Sequence, residues 1–160
     1  MAHYRTTRFK DIKKLAPRLR LQDQHEILAS HGLLPYEALV HCYATSTECN
    51  TIIDGEGNGE IIGIFGFNVV NDHLASPWLL GSEKIQTIGR DVIKVSTKWV
   101  RDLNQKYPVL YNYVDQHNEV AIRWLRSLGF TFVRLIPDHG VGKKPFYEFV
   151  RINESCALQH

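Results

Sequence analysis

Few residues in this sequence stand at spacings that do chemistry. His25-Glu26 and His31 come closest to a metal motif. A zinc-protease helix sets its two histidines four apart, so that both face one way. These are six apart, about 240° around a helix at roughly 100° per residue. No metal is expected there, and the default reading is a capped surface helix on which His25 and Glu26 at most shape a pocket. The run Asp54-Gly55-Glu56-Gly57-Asn58-Gly59 is glycine-rich, but Asp54, Glu56 and Glu60 would repel a phosphate, so a hairpin turn explains it better. No GxSxG elbow, P-loop or nucleophile–base pair is legible. The informative loop runs from Gly81 to Asp91. Gln86 and Gly89 lie just before a long helix. Asp91 in the first turn has an ordinary reading as a cap. Tyr111 and Tyr113 carry phenols, although aromatic residues on a strand more often build core.

The elements that must position these residues are read from period and punctuation. Val109 to Val114 is β-branched and aromatic, which suits a buried strand. Asn118 caps the next helix, with Glu119 in its first turn. Ala121, Trp124, Leu125 and Leu128 form one apolar stripe, Gly129 ends the helix left-handed, and Phe130 opens a second apolar run. This is strand, helix and strand in about thirty residues, the size of a compact crossover. Upstream, Phe9, Ile12, Leu15 and Leu19 repeat at helical spacing until Pro17 interrupts. Asp23 is expected to cap a helix over 24–31 that Gly32 ends, and Pro35 to open one over 36–44. Strands are expected at 49–53, 61–70 and 78–80, with Gly63 and Gly66 marking a bulge or close backbone approach. The longest helix spans 90–107, with Val92, Val95, Trp99, Leu103 and Tyr107 on its buried edge and Pro108 as its stop. A last strand, 146–152, follows a loop over 138–145. The order predicts an α+β fold with one mixed central β-sheet flanked by helices.

At 160 residues, 44% hydrophobic and 22% charged, the chain suits a single soluble domain over 1–160. Cys42, Cys49 and Cys156 have no CxxC spacing and cannot all pair, which favours a reducing compartment. The longest apolar run, 61–70, is too short for a bilayer, and no secretory signal is visible. Net charge is +2, yet residues 1–20 hold seven basic side chains against Asp11 alone. The expected reading is the wet face of an amphipathic helix, with no specific nucleic-acid partner and no membrane.

Asn118-x-x-Ala121 followed by Leu128-Gly129-Phe130 resembles the last αβ unit of the GCN5-related N-acetyltransferase (GNAT) fold. Leu110 to Val114, Asn118 with Ile122 to Leu125, and the earlier Glu48-Cys49 and Trp78 are also similar to the internal virion protein A family of T7-type short-tailed phages. The resemblance implies a GNAT-like (acyl-CoA N-acyltransferase) fold with two splayed parallel strands, at Trp78 and Val109, in the middle of the sheet. It implies an acetyl-CoA site built from Leu80, Gln86, Ile88, Gly89, Arg90, Asp91 and Asn118. Gln86-x-x-Gly89 fits the family's pyrophosphate pattern, while Asp91 stands where a small residue belongs. The family's proton-donating tyrosine, seven residues after the asparagine, is here Leu125, which cannot act as an acid. The expectation is therefore a virion-assembly or internal virion protein with a degenerate acetyl-CoA site. Its partners would be other phage proteins, in the host cytoplasm during assembly or in the virion. The alternative is an active CoA-dependent N-acetyltransferase acting on a protein or small amine.

Overall fold

The computed structural model describes residues 2–55, 59–87 and 89–153. Glu56 to Asn58, Ile88 and Cys156 lie outside them, so the hairpin tip, one expected cofactor residue and the third cysteine are not described. Among the described residues seven strands form one sheet: β1 (Ala2–Thr6), β2 (Glu48–Asp54), β3 (Glu60–Asn71), β4 (Leu74–Gly81), β5 (Val109–Asp115), β6 (Thr131–His139) and β7 (Lys144–Ile152), ordered β1-β2-β3-β4-β5-β7-β6. Among the described residues six α-helices cover it: α1 (Phe9–Leu15), α2 (Leu21–His31), α3 (Pro35–Thr45), α4 (Lys84–Thr87), α5 (Gly89–Lys106) and α6 (Glu119–Ser127).

Helices α1 to α3 pack on one face through Ile12, Leu15, Ile27 and Leu39 against Ile53, Ile64 and Leu80. The other face takes α5 and α6 through Val100, Leu103, Ile122 and Leu125 against Phe67, Leu110, Val114 and Phe149. Tyr111 and Tyr113 alternate with Leu110 and Val114, which turns them toward the α1–α3 side.

Every neighbouring pair of strands is antiparallel except β4 and β5, and those two meet only at Leu74↔Val109 and Ala75↔Leu110. The expected splayed parallel pair is therefore present. Its cause is local. Continuing the register would set Pro77 opposite Asn112, and proline has no N–H for a ladder. The side chain of Asn112 instead donates across the gap to the Pro77 carbonyl at 2.7 Å.

Several expectations are corrected. The opening strand β1 was not legible, because Tyr4 and Arg5 give its five residues no alternation of apolar side chains. Phe9 is 44% exposed rather than part of the buried stripe. Arg20, not Asp23, is the N-cap of α2. The loop before the long helix contains α4. Strands β6 and β7 run on to pair His139 with Lys144, shortening the expected 138–145 loop. The compact crossover holds in direction, but β7 inserts between β5 and β6. Gly66 is a close approach: a Cβ there would lie 2.0 Å from the Glu48 carbonyl oxygen. The basic segment is more than a wet face, since Arg5 pairs with Asp11, Arg18 with Glu60 and Arg20 with Asp23. No helix among the described residues is long and apolar enough to cross a membrane.

Candidate active site

The splay between β4 and β5 opens a cavity of about 910 Å³ that reaches both sides of the sheet. On its β4 wall, peptide groups alternate between β3 and the opening. Ser82 N–H donates to Ile62, which fixes the even-numbered residues toward β3. The odd-numbered ones face the gap. Pro77 C=O is taken by Asn112, Gly81 N–H by an Asp23 carboxylate oxygen at 2.9 Å, and Gly81 C=O by Arg20 N–H at 2.8 Å. Between them, the N–H and C=O of Leu79 face the opening with no partner among the described residues. One residue with both N–H and C=O free on an otherwise satisfied edge is a docking point for an amide-bearing chain.

Helix α2 supplies the opposite, charged wall. Asn118 behaves as the sequence predicts, its Oδ1 accepting from the Ala121 N–H at 3.3 Å. The same oxygen accepts from Arg20 Nη2 at 3.4 Å. Its Nδ2 donates to Glu26 Oε1 at 2.8 Å, and the Asp115 N–H donates to that oxygen at 2.9 Å. Asn118 is thus a hinge between the α6 terminus and a half-buried carboxylate.

Burial pushes the Glu26 carboxyl up to about 7, against the two hydrogen bonds that favour its charged form. Asp23 lies one turn earlier and is pushed by burial to about 6, held back by Arg20 at 3.3 Å. Glu26 is therefore no surface residue, contrary to the default reading of its helix. What sequence reasoning lacked was the partner, since Asn118 is ninety-two positions away. The faint signal was a glutamate next to His25 on a short, weakly amphipathic helix.

The expected cofactor residues are only partly brought together. Leu80, Gln86, Gly89 and Asn118 line the cavity, while Arg90 and Asp91 do not. Gln86 is exposed and donates to Glu83 at 3.2 Å. Gly89 opens the eighteen-residue α5 with free space where a Cβ would stand. Arg90 is exposed and Asp91 half-buried in that first turn. Ile88 lies outside the described residues. Leu125, in the family's tyrosine position, is buried in the core. Tyr111 and Tyr113 both line the cavity. Burial and Glu148 hold the Tyr113 phenol above its ordinary pKa, so it stays protonated. Among the described residues no cluster of His, Cys, Asp and Glu is arranged to hold a metal.

The chain is similar in structure to Ard1 from Thermoplasma volcanium, with a TM-score of 0.71 at 15% identity over 94% of this chain and 97% of that one. A GNAT-family acetyltransferase from Bacillus anthracis gives 0.73 at 12% identity, over 96% and 95%. A GNAT-superfamily phosphinothricin acetyltransferase from Sinorhizobium meliloti, solved in complex with AcCoA, gives 0.67 at 16% identity over 94% and 88%. No family model and no curated protein matches the sequence. The fold is the GNAT acyl-CoA N-acyltransferase fold, and at these identities the likeness is one of fold.

Proposed function

We propose that the protein is an acyl-CoA-dependent N-acyltransferase. The observation that carries this reading is the pairing, across one cavity, of the free strand-edge N–H and C=O of Leu79 with a half-buried carboxylate, Glu26, poised near neutral pH. The pantetheine arm of an acyl-CoA bears secondary amides, which suit the Leu79 N–H and C=O as an added strand would. The N-terminus of α5 at Gly89 and Arg90 would meet the phosphates. Asp91 opposes them there, at a cost of roughly tenfold in affinity after screening.

The reaction follows from these roles. An acceptor ammonium gives one proton to Glu26, whose pKa near neutrality suits a general base. The freed nitrogen lone pair bonds to the thioester carbonyl carbon as the carbonyl π pair moves onto oxygen. The C–S bond then breaks, its electron pair going to sulfur. The remaining surplus proton on nitrogen is lost as the sulfur gains one, with Tyr113 as the protonated phenol able to relay it in place of Leu125. Asn118 positions Glu26, and Asn112 holds the strands at the distance the cavity needs.

The comparisons support the acyltransferase alternative and give the virion-assembly reading no support. Calorimetric titration with acetyl-CoA, for wild type and Asp91→Gly, tests the proposal. Saturable binding that tightens in the variant is expected. No binding by either protein would overturn it.

A further inference from the structure

The acceptor end of the cavity has a wall built by an unusual contact. The turn between β6 and β7 lies on the last turn of α2. Val141 N–H donates to the Ser30 carbonyl at 3.2 Å and Gly142 N–H to the Ala29 carbonyl at 2.7 Å. Carbonyls at a helix C-terminus have no partner within the helix, so the hairpin serves as their cap. The approach is backbone on backbone. A Cβ on Gly140, whose φ is +73°, would lie 2.6 Å from Ser30 Cα, and one on Gly142 would lie 3.0 Å from the Ala29 oxygen. Ser30, His31, His139 and Gly140 all line the cavity, so this seam closes it on the side of α2.

Inside the seam the surface is aromatic. His139 stacks on Tyr113 with ring centroids 4.4 Å apart and leans on Phe146 at 4.8 Å, while Tyr111 and Trp78 continue the wall. Burial lowers the pKa of both His31 and His139, each further lowered by a neighbouring histidine, so they present neutral rings near pH 7. The lining carboxylates are Asp23 and Glu26 among the described residues. Asp23 is matched by Arg20, and Glu26 has no ion pair among them. Arg123 also lines the cavity, but from the exposed side of α6, across the sheet from α2. One carboxylate therefore remains for one cationic nitrogen, set among rings. A second ammonium has no counter-charge, and a carboxylate beside Glu26 would be repelled. On the α2 side a polymer chain would have to part the seam.

We infer that the acceptor is a compact primary monoamine with an apolar or aromatic body, and that the Gly140–Gly142 seam on α2 enforces that choice. This rests on the N-acyltransferase reading and deepens it. The test is CoA release from acetyl-CoA with four acceptors: 2-phenylethylamine, spermidine, phenylalanine and a lysine-containing peptide. The expected kcat/KM for 2-phenylethylamine is at least tenfold above each of the others. Equal or better turnover of any other acceptor overturns the assignment while leaving the acyltransferase reading intact. Acetyl-CoA binding with none of the four acetylated also counts against the monoamine. Absence of both binding and transfer would instead remove the acyltransferase reading. Gly140→Ala should shift the peptide-to-phenylethylamine ratio several-fold toward the peptide. Gly142→Ala, the milder clash, gives the same readout if the first variant does not fold. An unchanged ratio in the folded variant removes the seam from specificity.

Discussion

Asp11 is a fully buried carboxylate and Glu26 a half-buried one, and the chain holds them in opposite ways. Asp11 accepts from both terminal nitrogens of Arg5 at 2.7 and 3.0 Å, from the Arg8 N–H at 2.8 Å and from the Thr51 hydroxyl at 2.9 Å. Burial works to raise its pKa, but these donors together hold it below the ordinary value. Glu26 has two neutral donors on one oxygen, the charges of Asp23 and Asp115 nearby, and a pKa near 7. A carboxylate surrounded by donors and a cation is committed to structure, fixing α1 to β1 and β2. One left short of donors beside a cavity retains a proton to exchange.

The sharpest way to break this contrast is Glu26→Gln. The expected loss in the chemical step is about 10²–10⁴-fold, with the fold unharmed because a neutral amide suits the half-buried site. Stopped-flow thiol release checks it, and a rate within threefold of wild type would strip Glu26 of its role. Next in size is Asp11→Ala, which strands Arg5 and the Thr51 hydroxyl and should cost about 3 kcal/mol of stability. Urea denaturation measures this, and transfer per folded molecule should persist.

The two groups also give pH slopes of opposite sign. Asp11 titrates below its unfolded value, so its stabilisation is complete above the ordinary carboxylate range and fades as pH falls through the folded value. Glu26 titrates at about 7 against 4.5 unfolded, so the folded state binds the extra proton and stability declines as pH rises between those values. Asp23, at about 6, adds the same sign. Urea midpoints of Glu26→Gln from pH 4.5 to 7.5 should show a shallower decline than wild type. Identical slopes would place the Glu26 titration elsewhere.

Asn118→Ala removes a helix cap, at about 1 kcal/mol, together with a hydrogen bond that lowers the Glu26 pKa. The midpoint of the pH–rate profile should move upward, and an unmoved midpoint would sever Asn118 from Glu26. The smallest expected effect is Thr51→Val, which takes one of the donors from Asp11 at about 1 kcal/mol and should leave the pH–rate profile untouched.

The sequence by itself determined those features whose cause is local. Gly32 and Gly129 adopt φ of +70° and +88° because a helix stop asks for a left-handed residue. Asn118 caps α6 because a short side-chain oxygen reaches the free N–H three residues on. Most of the order of strands and helices followed from alternation and punctuation, though β1 and α4 did not, and the parallel pair was implied only by the resemblance to the GNAT fold. Only the tertiary structure decided the site. On α2 no period distinguishes Asp23 and Glu26 from surface acids, and their exposure was settled by Arg20, Gly81, Asp115 and Asn118. Asn112 gained its meaning only when Pro77 broke the ladder opposite it, and Gly140 and Gly142 only when the hairpin met α2. Burial and counter-charge are pairwise properties of residues far apart in the chain, and they set whether a carboxylate is structural or reactive.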